Sequence, residues 1–406
     1  MKKNVLLEQR GYPRITASFP IRITSDFLGE TVDINEAGLS FALKKPILLS
    51  KAKAEIELSS AESVEAEFKV IWNKQLVKNG KFVYGACFIR LKEREINILR
   101  DALILQQVQG FIDDIQDREI KESIKQFFIK DIKKYISELE RLAIEINDTS
   151  DIDSNVLAYL TQISHAIVTK GDILSEQVKS KMIVKKIKQS FRALVAPWAY
   201  KSLVMKRGFE KPRGYPGDYK MLEIIYDNKP FSSGIGRYFD AYFLNNPYAE
   251  AVRQRKNKAV EVLSNVINGY SASSVRILNL PCGSCRELKE MLTSQKIHRK
   301  GSLSFGLIDH DEEAISFSKQ ALDVFQQDTI RFSYFRENIL KFYDNKLHYE
   351  KLFGKQDIIY SIGLIDYFPD KMLKKMLQFC LDLLATGGKL ILTIKDKDRD
   401  PFAPLP

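Results

Sequence analysis

The residues best placed to do chemistry lie first in "ILNLPCGSCREL", residues 277–288, where an apolar run breaks into a turn and then becomes charged and helical. Cys282 and Cys285 form a Cys-x-x-Cys there, and that spacing serves three chemistries. A redox pair would use the helix start, whose exposed N–H groups lower a thiol's pKa. Half of a zinc site would need further ligands, and the nearby His298 and His310 do not stand at ligand spacing. A cofactor turn would use Gly283 to bring backbone close to a ligand without a Cβ, with the next helix offering N–H groups. The third reading is favoured, with the cysteines as small, packable residues. The next apolar run ends "GLIDHD", so Asp309 falls 26 residues after Gly283, where a carboxylate can accept from two ribose hydroxyls, and Asp311 lies close by. A single glycine in place of G-x-G-x-x-G serves phosphate poorly, which points to a nucleoside cofactor without phosphate. The candidate cofactor set is Asn279, Pro281, Gly283, Ser284 and Asp309, with Asn338 able to read an adenine edge, and Ser361 and Gly363 in "YSIGLID".

Tyr215, Asp218, Tyr219, Arg253, Arg255, Asp366 and Tyr367 are candidates for the substrate side, the arginines being able to pair with an acid. No catalytic base is assignable. A second constellation lies near the start: Arg10 and Arg14 in "RGYPR", then Asp33, Asn35 and Gly38 in "DINEAG". Two arginines four apart can clamp phosphates and stack on guanine planes. Asp33 and Asn35 at a strand end can hydrogen-bond a base edge, and Gly38 permits the turn.

Positioning these groups requires three kinds of element. Residues 12–90 read as short alternating strands, "RITASFPIRIT", "ETVDI", "LSFAL", "AKAEIEL", "VEAEFKVIWN" and "KFVYGACFIRL", spaced as in a small barrel. From Glu93 to Lys206 the period becomes 3.6, with Ile98, Ala102, Leu105, Val108 and Ile112 on one stripe and a break near "NDTSDIDS". Residues 207–250, rich in Gly, Pro and Tyr, read as an ordered cap, and a helix is expected over Ala251 to Val266. Five strand candidates then alternate with helices, "VRILNL", "LSFGLID", "IRFSYFREN", "DIIYSIGL" and "KLILTIK", which predicts a mostly parallel sheet covered on both faces. The expected organisation is a barrel over 1–105, a helical connector over 106–206, a cap over 207–270 and an α/β domain over 271–406.

Residues 275–394 resemble a class I methyltransferase, whose cofactor would be S-adenosylmethionine. More narrowly, "GYPGDYKMLEIIY", "AVRQR", "LNLPCGSCREL" and "YSIGLIDYFPD" resemble bacterial proteins of the extracellular-factor 3-hydroxypalmitic acid methyl ester biosynthesis family, over about residues 195–394. That family carries a small residue before Arg-Glu where other methyltransferases have Gly, and Cys285 holds that place. Asn279 departs from the acidic residue that often ends the first strand. The N-terminal motifs resemble a PilZ domain, the bacterial receptor for cyclic di-GMP, over residues 9–105, with Asn35 in place of the motif's serine. Some members of that family bind no nucleotide and act as adaptors.

The resemblances imply a cytoplasmic, cyclic di-GMP-responsive methyltransferase that O-methylates a small acidic or lipidic substrate. The alternative is a non-catalytic signalling adaptor, with a protein partner and a degenerate methyltransferase fold. A formal charge of +11 invites a nucleic-acid partner. Much of the excess lies in "KSKMIVKKIKQSFR", where apolar residues recur as on one helix face, and "SIGLID" stands where base-amine methyltransferases carry N/D-P-P-Y/F, so a nucleic-acid substrate is disfavoured. Four cysteines in 406 residues make no disulfide framework, and no window is apolar enough for a membrane span. The residues after Ile394 are too few for the helix and antiparallel strand pair that usually complete such a sheet, so an uncovered edge is expected.

Overall fold

The computed structural model describes residues 16–24, 27–35, 37–76, 80–146, 151–342 and 345–394. The chain divides into two compact units, one of residues 1–203 with 231–239, the other of 204–230 with 240–406. No helix among the described residues is long and apolar enough to cross a membrane.

The first unit opens with six strands: β1 (Pro20–Ile23), β2 (Phe27–Asn35), β3 (Gly38–Leu43), β4 (Lys51–Glu57), β5 (Ser63–Leu76) and β6 (Lys81–Arg90). They close an antiparallel barrel in the order β1-β2-β3-β6-β5-β4. Period-2 alternation turns Ile21, Ile23, Ile34, Leu39, Phe41, Ile56, Val64 and Phe68 into one core, and closure leaves no unpaired edge. The first expected strand is shorter than its apolar pattern. Before Pro20, Thr31 holds the segment through backbone and side chain: its N–H donates to the Phe19 carbonyl (2.8 Å), the Phe19 N–H donates to its Oγ1 (2.8 Å), and its hydroxyl donates to the Ala17 carbonyl (2.5 Å).

Helix α1 (Glu93–Ile112) adds Leu99 and Leu103 to the barrel core. Next come α2 (Arg118–Gln126), a π-helical turn (Phe127–Ile132) and α3 (Lys133–Glu145), then α4 (Ser154–Gln177) and α5 (Lys181–Ala199). Side-chain caps start three of these helices: Asp117, Asp153 and Ser180 each accept from the first-turn N–H groups. The π turn buries Phe127, Phe128 and Ile132 together. Lys133 and Asp101 pair across α3 and α1 at 2.6 Å.

The second unit is a five-stranded, all-parallel sheet in the order β11-β10-β7-β8-β9. Its strands are β7 (Ser274–Asn279), β8 (Ser302–Asp309), β9 (Ile330–Arg336), β10 (Gln356–Ile362) and β11 (Leu384–Thr393). Ahead of the sheet lie α6 (Leu203–Glu210), α7 (Tyr219–Asp227), α8 (Gly234–Leu244), whose first residues belong to the other unit, and α9 (Pro247–Asn268). Within the sheet's connections come α10 (Arg286–Thr293), α11 (Glu312–Leu322), α12 (Lys346–Phe353) and α13 (Asp370–Leu383). The central strand alternates between two cores. Ile277 joins Leu263, Leu288 and Phe305 on one face, while Leu278 joins Phe342, Phe353 and Phe379 on the other. Both faces of a parallel sheet must be dry, which explains its near-continuous apolar strands. The fold class expected from the pattern is thus the one observed. The residues after Ile394 lie outside the described ones.

Candidate functional site

The site forms where β7, β8 and β10 end. The turn after β7 is fastened to both neighbours: the Leu280 N–H donates to the Tyr360 carbonyl (3.0 Å) and the Cys282 N–H to the Ile308 carbonyl (2.7 Å). Gly283 and Cys285 take left-handed conformations, at φ +54° and +50°. A Cβ on Gly283 would meet nothing within 4 Å, so open space borders the turn there. The Gly283 N–H donates to Asp309 Oδ2 and the Asp311 N–H to Asp309 Oδ1, each at 3.0 Å. One carboxylate thereby fixes two chain segments while keeping lone pairs for further donors. Asp309 is buried, and desolvation pushes its carboxyl above the usual range despite those N–H groups. Ser318 of α11 donates to the Gly283 carbonyl at 2.7 Å, which holds the turn from its other side.

Asn279, the last residue of β7, is buried and donates through Nδ2 to Glu287 Oε1 (3.2 Å), while its Oδ1 has no partner among the described residues. Ser361 on the adjacent strand is also buried, and its Oγ has no partner among the described residues. Such orphaned buried polar atoms are costly unless something meets them, and two of them at neighbouring strand ends fit a polar ligand. Ser284 is buried within the turn. Pro281 is half-buried there. Asn338 follows β9, where its side chain accepts from the Leu340 N–H at 3.0 Å. Cys282 and Cys285 are buried free thiols, and burial raises the Cys285 pKa, opposite to the shift of a reactive thiolate.

The segment carrying Tyr215, Asp218 and Tyr219 is drawn to the end of β8 by charge. Arg213 pairs with Asp311 (2.6 Å) and with Glu313, and Glu313 also accepts from Tyr219 (3.2 Å). The Tyr215 ring stands 6.1 Å from that of His310, and burial raises its hydroxyl pKa. Asp218 is the N-cap of α7, accepting from the Met221 N–H (3.0 Å) and three times from Arg207, through Nη2 to both oxygens (2.8 Å each) and through Nε (3.2 Å). Arg255 pairs with Asp366 at 3.3 Å, and a Cβ on Gly363 would lie 2.5 Å from the Arg255 guanidinium. A Cβ on Gly217 would lie 2.9 Å from the Tyr367 hydroxyl, so the cap and the loop after β10 meet there. Arg253 is placed apart from these, donating to Glu250 (2.6 Å), Asn228 (3.0 Å) and the Leu244 carbonyl (2.9 Å).

Sequence reading passed over Glu287. A glutamate in the first turn of a helix ordinarily answers the helix dipole at the surface. The available signal was its place in an apolar stripe with Leu288 and Met291, which are buried with it.

In the barrel, Asn35 closes the β2–β3 turn, its Oδ1 accepting from the Ala37 N–H (3.1 Å) and the Gly38 N–H (3.0 Å). Gly38 is obligatory for a different reason than turn geometry, since a Cβ there would lie 2.2 Å from the Ala86 carbonyl oxygen. Asp33 flanks an irregularity in the β2–β3 pairing. Arg10 and Arg14 lie outside the described residues.

The strand order and the turn after its central strand are those of a Rossmann-like methyltransferase domain. The chain belongs to the Methyltransf_20 family, described as "Putative methyltransferase", whose model matches residues 146–397. That match takes in α4 and α5, ahead of the stretch in which the sequence motifs lie. Comparison with curated proteins gives no match. Among solved structures, the Bacillus subtilis inhibitor of motility (MotI/DgrA) is similar at 18% identity, over 25% of this chain and 52% of its own, with a TM-score of 0.23. Magnesium protoporphyrin IX methyltransferase (ChlM) from Synechocystis PCC 6803, solved with bound SAH, is similar at 14% identity over 34% and 56%, with a TM-score of 0.25. A SAM-dependent methyltransferase from Agrobacterium tumefaciens is similar at 18% identity over 35% and 46%, with a TM-score of 0.26. The chain spans about half the length of each.

Proposed function

We propose that this protein is an S-adenosylmethionine-dependent methyltransferase that O-methylates a small acidic or lipidic molecule, and that its barrel makes it responsive to cyclic di-GMP. The observation that carries the reading is the Gly283–Asp309 lock beside open space at the end of the central strands. Asp309 would hold the ribose hydroxyls, Asn279 and Ser361 the polar amino-acid portion, and Asn338 the adenine edge. When bound, the cofactor supplies an activated methyl group on a sulfonium. The protein's own part is to orient the acceptor and exclude water, because methyl transfer to a carboxylate depends chiefly on alignment. Tyr215, Asp218 and Tyr219, tied in place through Arg207, Arg213 and Glu313, would wall the acceptor side with Tyr367. Arg255, half-buried beside Gly363, would face an acidic group; Arg253 would set the end of α8 against α9. The resemblance of the N-terminal motifs to a PilZ domain supports the nucleotide, with Asn35 and Gly38 shaping the turn that Arg10 and Arg14 would complete.

Two measurements on the full chain test this. S-adenosylmethionine should raise the thermal midpoint of the parent and leave that of Asp309→Ala unchanged; equal stabilisation of both sinks the cofactor site. Calorimetry should detect cyclic di-GMP, with Arg14→Ala weakened about tenfold, in line with the loss of one charge-assisted contact. An absence of heat with the parent sinks the receptor reading. Cofactor binding without transfer to any acid would leave a binding module in place of the enzyme.

A further inference from the structure

Glu287 has surroundings unlike those of its neighbours. Arg286 pairs with Glu223 (2.7 Å) and Asp227 (2.9 Å), and Glu290 pairs with Lys256, but Glu287 makes no ion pair among the described residues although it is buried. Its Oε1 accepts from the Tyr360 hydroxyl (2.9 Å) and from Asn279 Nδ2 (3.2 Å). The titratable and charged groups facing it are Tyr360 on β10, Glu223 on α7, Tyr226 on α7 and Cys285 in the turn, with Arg255 and Glu290 acting on Tyr226. The charged group that acts on it most strongly, Glu223, is an anion.

An ionised carboxylate can only accept, so it dictates the orientation of the Asn279 amide: the NH2 faces Glu287 and the carbonyl oxygen faces away. That oxygen is the buried one with no partner among the described residues. We propose that Glu287 is a positioning residue for the cofactor's cationic amino-acid portion, fixing Asn279 as an acceptor for the ligand's ammonium and supplying, one side chain removed, the negative charge that Asn279 lacks. This rests on the reading of the turn as an S-adenosylmethionine site. Once Glu287 is protonated, it can itself donate, the amide loses its obligatory acceptor, and the two amide orientations become comparable.

Burial raises the Glu287 pKa to about 7, against the pull of its own backbone N–H, Tyr360 and Asn279, so the change falls near neutrality in the ligand-free protein. A bound cation favours the ionised form, so binding releases a proton below that pH. Affinity then rises by up to about tenfold per pH unit below about pH 7 and levels off above it. Asp309 also titrates upward, but it is common to the parent and to the variants below, as is the ligand's own amine.

Calorimetric titration of the full chain with S-adenosylmethionine from pH 5.5 to 7.5 tests the proposal. In Glu287→Gln, affinity at the upper end should fall about tenfold or more, and the pH profile should flatten relative to the parent. Tyr360→Phe removes a donor that lowers the Glu287 pKa, so it should displace the profile to higher pH and leave the plateau near the parent's. A purely structural role would weaken or unfold the protein without moving the profile. Parent-like affinity and profile in Glu287→Gln overturn the proposal, as does an unmoved profile in Tyr360→Phe, which decides the matter if the glutamine variant does not fold. If the parent itself binds no S-adenosylmethionine, the cofactor reading fails and this inference with it; binding with an unaltered profile removes this inference alone.

Discussion

Asn35 shows how one side chain can serve as both framework and candidate contact. Its Oδ1 takes two backbone N–H groups at the tip of β2–β3, and the residue is wholly buried. Removing the acceptor strands both donors, at about 1–3 kcal/mol for a buried unsatisfied group. Asn35→Ala should therefore lower barrel stability by that amount, read as a shift in the urea midpoint followed by the fluorescence of Trp72 with Trp198 replaced by phenylalanine in both proteins. An unchanged midpoint would mean that water replaces the side chain. Individual residues were unevenly legible in the sequence. Gly283 and Asp309 announce themselves, because a glycine in a strand-to-helix turn and an acid ending the next strand have few other uses together. Glu287 does not, because its burial depends on Tyr360, which lies 73 positions away and reaches it only through strand pairing.

At the scale of elements, period-2 alternation located the six barrel strands described, while the five described sheet strands showed as short apolar runs alternating with helical stretches, since a parallel sheet is buried on both faces. The π turn between α2 and α3 leaves no such trace. Within it Phe127, Phe128 and Ile132 are buried together. Phe128 is fully buried and stacks edge-on against Phe127 at 5.4 Å, and Gly171 of α4 would bring a Cβ to 3.4 Å from the Phe127 ring. Phe128→Ala should accordingly cost about 3–5 kcal/mol, the usual range for an aromatic core truncation. Thermal unfolding of the first unit would register it; a loss below about 1 kcal/mol would show that the widened turn relaxes to a regular helix and closes the gap.

For the whole molecule, pH sets the balance between two kinds of carboxylate. Glu313 is held down to about 2 by Lys220 and Arg213, so its stabilising contribution is present above the unfolded pKa and is lost as acid protonates it. Glu287 works in reverse. Its folded pKa of about 7 lies above the unfolded value of 4.5, so the native state holds the extra proton and stability falls as pH rises through that window. A shift of that size corresponds to a loss on the order of 3 kcal/mol between pH 4.5 and 7 in the ligand-free protein. Protection factors of amides in β7 and α10, with the base-catalysed intrinsic exchange divided out, should fall across that range in the parent and not in Glu287→Gln. An equal fall in both would assign the effect to Asp309.

The division of the chain has a consequence for anyone who wishes to transplant its parts. The first unit is not a prefix: residues 231–239 return to it after 204–230 have joined the second. Ile235, Tyr238 and Phe239 on that returning segment are buried, and the Tyr238 hydroxyl accepts from the Asp153 N–H at 3.0 Å. A single scissor cut at 203 would hand the downstream fragment three greasy side chains with nothing to cover them and leave a notch in the upstream one. Recombination between relatives that swaps the barrel and helices as one cassette must carry the distant nine-residue stretch along, so the gene is modular at two seams at once or at neither.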